Sequence, residues 1–135
     1  IARNRVIEAL GVFYVLDQMK MFMAMKEAGG LVALLDRWFA GEVANDILMP
    51  PALAAALIGK LAEEKIETAP EKVRLDLMVS HDFTPYTIKA QLLSQQTSDY
   101  PHVHFLDGVA FFKRDGQTFL QSHHAPAIAL NTAIG

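Results

Sequence analysis

The chain has 135 residues, of which 52% are hydrophobic and 20% charged, enough for one domain with a sizeable core. A net charge of −3, with basic residues scattered apart from Arg3 and Arg5, argues against the basic face that general nucleic-acid binding needs. There is no cysteine, which excludes a disulfide and a thiolate metal site.

Apolar residues at Val6, Leu10, Phe13 and Leu16 recur at helical spacing and predict a first helix over residues 4–28, closed by Gly29-Gly30. Its apolar stretch, residues 10–25, is interrupted by Asp17 and Lys20. It also falls short of the roughly 20 clean residues of a membrane span, so a buried helix is expected and no membrane partner. Met19, Met21, Met23 and Met25 spread around that helix, as core or cleft lining would. A second helix is predicted over residues 31–39, with Gly41 after it; Trp38 and Phe39, near Arg37, could line a ligand pocket, with core packing the default. Residues 42–49 form a connector, and Pro50-Pro51 opens a third helix over residues 52–64. The polar stretch 65–72, which contains Pro70, reads as a loop.

The second half changes character. Residues 73–80 predict a buried strand, with Leu75, Leu77 and Val79 alternating against Asp76 and Met78. Thr84 as N-cap and Pro85 at the first helical position start a helix over residues 85–95. Residues 97–104 form a loop carrying Pro101. Residues 109–114 and 117–122 are β-rich runs joined by Asp115-Gly116, a strong two-residue hairpin signal. No element is expected after Ala125. One strand plus one hairpin makes a poor sheet. The remaining strands are therefore expected from a segment N-terminal to Ile1, and an opening Ile in place of Met points the same way.

His81 and Asp82 stand where the predicted strand ends and the helix begins. In open α/β sheets ligands bind at that point, and a helix N-terminus favours anions, phosphate above all. One imidazole and one carboxyl group there suggest phosphate chemistry. The bland alternative is a helix-capping Asp beside a His satisfied in a polar crevice. A rival site rests on other histidines. His102 and His104 flank Val103, so on an extended segment they would point the same way and could hold one Zn²⁺ or Cu²⁺ ion together with His123 of the His123-His124 pair. Its bland alternative is a set of solvated loop and tail histidines.

The stretch Leu77-Met78-Val79-Ser80-His81-Asp82-Phe83-Thr84 resembles the second signature of the histidine phosphatase superfamily. In its acid phosphatase and phytase branch an apolar strand ends in His-Asp-Thr-Thr and enters a helix. Leu106-Asp107-Gly108-Val109-Ala110-Phe111-Phe112-Lys113-Arg114 resembles the next strand of that family, and the helical first half is similar to the insertion that precedes the His-Asp strand. The first signature of the superfamily, Arg-His-Gly, has no match, since Asn4 stands between Arg3 and Arg5 and no His-Gly follows. Phe83 takes the place of the usual first Thr, which implies a more apolar site mouth.

The resemblance implies a three-layer α/β phosphatase-like fragment. Residues 1–72 would form a helical insertion or cap, and residues 73–135 the C-terminal part of the α/β core, in the order strand, helix, β-hairpin. It implies a phosphomonoester hydrolase in which His81 and Thr84 contact the phosphate and Asp82 protonates the leaving alcohol. The phosphohistidine would form on an N-terminal remainder of the same protein. No metal or cofactor is required, and the partner is a small phosphorylated substrate. A bare sheet edge would also favour self-association, up to a homo-oligomer. The runner-up is a non-catalytic helical interaction module, a pseudophosphatase whose Met-rich helices bind a partner.

Overall fold

The computed structural model describes residues 12–69, 73–99, 103–104, 107–122 and 125–130. The first helix, α1, spans Gln18–Ala28, and Asp17 caps it by accepting from the Lys20 amide at 3.0 Å. It starts well after the expected position. Residues 12–16 are non-helical, and the earlier part of the expected helix lies outside the described residues. The reason is tertiary. The Leu16 amide donates to the Ile47 carbonyl (2.9 Å), the Met49 amide donates to the Tyr14 carbonyl (2.8 Å), and Val15 bridges Leu48. These backbone groups serve the connector rather than a helix. Gly29 ends α1 at φ 97°, in the left-handed region that glycine enters without strain.

Helix α2 spans Leu31–Phe39, as the pattern predicts, and α3 spans Pro51–Glu67 with Pro51 in its first turn. The third helix runs further than expected. Thr68 closes it by donating its hydroxyl to the Glu64 carbonyl at 2.8 Å, so Lys65 and Glu67 are helical rather than part of a loop. Tyr14, Leu34, Leu35, Trp38, Leu48 and Ile58 form the buried centre of this helical layer. The small residues Ala54, Ala55, Gly59 and Ala62 are the buried face of α3. Helix α4, Phe83–Leu92, packs on α3, and α3 also meets the hairpin.

The hairpin forms where the turn chemistry places it. Strands β1 (Val109–Arg114) and β2 (Gln117–Ser122) pair antiparallel from Val109↔Ser122 to Arg114↔Gln117. Asp115 at φ 50° and Gly116 at φ 79° make the turn, both in the left-handed region that such a hairpin requires. A third strand, β3 (Ile128–Ala129), pairs antiparallel with β2, where no element was expected. The described residues thus form a mixed α/β structure of four helices and one three-stranded antiparallel sheet.

The expected buried strand at residues 73–80 is not found. That segment joins no sheet among the described residues, and Leu75, Leu77 and Val79 are 90%, 86% and 88% exposed. An extended apolar run becomes a strand only where another strand satisfies its amides and carbonyls, and the hairpin sheet does not reach it. Among the described residues no helix is long and apolar enough to cross a membrane.

Candidate functional site

His81 and Asp82 are both exposed and lie directly before α4. The helix starts two residues earlier than expected, and its N-cap is Asp82 rather than Thr84. The Asp82 carboxylate accepts from the Phe83 amide at 2.9 Å. Thr84 fails as a cap because its hydroxyl is engaged elsewhere. It is buried, it bonds Tyr14 Oη at 2.9 Å, and it accepts from the Ser80 hydroxyl at 3.1 Å. At 4% exposure, Thr84 is not open to a phosphate at this point.

The amides at the start of α4 are also occupied. The Phe83 amide serves Asp82, the Thr84 amide donates to the His81 carbonyl (3.1 Å), and the Tyr86 amide donates to the Asp82 carbonyl (3.2 Å). Pro85, between them, has no N–H. An anion at this point would therefore feel the helix dipole, but its direct donor would be the His81 imidazole.

Phe83 turns inward, not toward a site mouth. It is buried, with its ring 5.5 Å from Tyr14 and 5.6 Å from Trp38. Trp38 stacks on Tyr14 at 5.6 Å and donates its indole N–H to the Met49 carbonyl at 2.8 Å. Core packing is thus the role of Trp38, as expected. Burial pushes the Tyr14 phenol up to about 12; the Thr84 bond acts against that shift, and the charge on Asp82 adds to it. Burial likewise raises Tyr86, which accepts from the Val103 amide at 3.0 Å, and the charges of Asp82 and Asp107 add to the rise.

Sequence reasoning missed a buried ion pair. Lys89 on α4 donates to both carboxylate oxygens of Asp107 at 2.9 Å, with side chains 0% and 4% exposed. Asp107 also accepts from the Gly108 amide at 2.7 Å, at the entry to β1. A Lys in a helix reads as a solvated residue, so only the Asp-Gly pair before an apolar run hinted at anything here.

A cleft of about 510 Å³ lies between Asp36 and Phe39 of α2 and residues 90–98, and neither His81 nor Asp82 lines it. Among the described residues no group of His, Asp or Glu could hold a metal ion. His102, His123 and His124 of the rival site lie outside the described residues. No protein-family model, no curated protein and no solved structure matches the chain.

Proposed function

We propose that the chain is part of a phosphomonoester hydrolase of the histidine phosphatase type. One observation carries this reading: His81 and Asp82 are both exposed, side by side, at the start of α4, on the far end of an apolar extended segment. In this reading His81 donates to a phosphate oxygen and stabilises charge in the transition state. Asp82 gives its proton to the leaving alcohol. The nucleophilic histidine and the arginine that holds the phosphate stand on a segment outside this chain. Segment 73–80, with Leu75, Leu77 and Val79 exposed, supports a sheet completed by that segment, and with it the three-layer architecture.

The test compares the 135-residue chain with a longer product of its reading frame that begins upstream of Ile1. Phosphate release is measured from an aryl phosphate and an alkyl phosphate. The longer product should turn over, and the short chain should not. Inactivity of both on a broad panel of phosphoesters refutes the reading. Turnover by the short chain that a chelator abolishes favours the histidine metal site.

A second reading, a partner-binding helical module, is favoured by the exposed apolar face of α1, where Met19, Phe22 and Met23 are 72%, 52% and 60% exposed. It gains if the longer product is inactive yet folded.

A further inference from the structure

The exposed His81–Asp82 dipeptide is tied down on its flanks. Ser80 donates its hydroxyl to Thr84 Oγ1 across it, an i to i+4 bond that closes a ring around His81, Asp82 and Phe83. Thr84 Oγ1 is bonded in turn to Tyr14 Oη at 2.9 Å. Tyr14 is fully buried, and its backbone carbonyl accepts from the Met49 amide. Its ring lies against Phe13, Trp38 and Phe83. The chain of hydroxyls therefore runs from the middle of the helical core to the residue before His81.

We propose that Tyr14 is a positioning residue for the His81–Asp82 pair, acting through the hydroxyls of Thr84 and Ser80. What the pair does when positioned rests on the phosphatase reading; the positioning itself does not. Tyr14 touches neither His81 nor Asp82 through a hydrogen bond, so its action is indirect. It holds Thr84, Thr84 holds Ser80, and the carboxylate of Asp82 is left aimed at the Phe83 amide. A phenol with its ionisation pushed up to about 12 remains a hydroxyl at neutral and acid pH. Its bond to Thr84 is then a neutral one at every working pH.

The test is amide hydrogen exchange, read by NMR on the 135-residue chain and its variants. Tyr14→Phe keeps the ring contacts and removes only the hydroxyl. Thr84→Val breaks both bonds at nearly constant volume, and Thr84→Ser keeps the hydroxyl. Tyr14→Phe should speed exchange of the Phe83 and Thr84 amides by about tenfold, the effect of losing one buried hydrogen bond, and Thr84→Val, which removes two, by at least as much. The Ile88 amide, deeper in α4, should be unaffected, and Thr84→Ser should match wild type. In the longer product, Tyr14→Phe should lower kcat with KM unchanged, and more on an alkyl phosphate than on an aryl phosphate. Phe83 exchange unchanged in both Tyr14→Phe and Thr84→Val overturns the proposal. So does an equal rise throughout α4, which marks a purely structural hydroxyl. Inactivity of the longer wild-type product refutes the phosphatase reading alone, and the exchange result still decides the role of Tyr14.

Discussion

Removing the carboxylate of Asp107 should be among the most damaging single changes in this chain. Asp107→Ala takes away the acceptor of two Lys89 bonds and of the Gly108 amide, at a place where the Lys89 side chain is 0% exposed. Breaking a buried ion pair by deleting one partner costs about 3–5 kcal/mol, because the other charge stays in a medium that solvates it poorly. For a chain of this size, roughly 3–5 °C of melting temperature goes with each kcal/mol, so a fall of about 10–25 °C is expected. Against a total stability of only about 5–15 kcal/mol this is a large share. Lys89→Met with Asp107→Leu should recover most of the loss, since apolar replacement of both partners is often neutral or stabilising. Urea unfolding followed by circular dichroism measures both variants at constant pH. A loss below about 1 kcal/mol for Asp107→Ala, or a double variant no better than the single one, would refute the view that the charge is confined by burial.

Tyr14 makes stability depend on pH in the alkaline range. Its folded-state ionisation lies at about 12 against an ordinary 10, so its contribution is fully present below pH 10 and is lost as pH rises toward 12. Wild type should lose about 2–3 kcal/mol more than Tyr14→Phe over that interval, and equal losses in urea titrations of the two would refute it. Gly116→Ala, at φ 79°, should destabilise the hairpin by about 1 kcal/mol in thermal melts, with no change in α-helical content. In the longer product, Asp82→Asn should slow an alkyl phosphate by about 10²–10⁴-fold and an aryl phosphate far less, while His81→Ala should remove most activity on both. Equal rates for wild type and both variants would sink the assignment. The 135-residue chain should self-associate in size-exclusion chromatography, and replacing Leu75 and Leu77 by Lys should reduce that association, because both side chains are almost wholly exposed. An unchanged elution profile would place the association elsewhere.

Local chemistry was readable and distant pairing was not. The Asp115-Gly116 turn, Gly29 after α1 and Pro51 opening α3 each depend on backbone preferences within a few residues, and each stands where the residues place it. The strand at residues 73–80 was misread because its alternation says only that apolar side chains recur. Whether a strand forms is decided by a neighbour that supplies hydrogen bonds. The helix start was misplaced for a similar reason. Thr84 and Asp82 are both good capping residues, and the choice fell to Asp82 because Tyr14, far away in sequence, takes the Thr84 hydroxyl. The exposed pair His81 and Asp82 was legible as a motif. The hydroxyl chain beneath it and the Lys89–Asp107 pair, which join residues distant in sequence, were not.

Trp38 is the single tryptophan of the chain, and its position turns it into an optical reporter. It is buried between Tyr14, which precedes α1, and Phe83, the first residue of α4, with its indole N–H held by Met49. Detachment of α4 would take the tilted Phe83 ring away from the indole and admit water, moving the emission to longer wavelength. The three-stranded sheet reaches the same core through Leu120, with Val109 and Phe111 packed against it, so opening of the hairpin would also disturb the indole's surroundings. Fluorescence and circular dichroism followed together would therefore show whether the core around the indole, with the His81–Asp82 pair at the start of α4, opens with the sheet or before it.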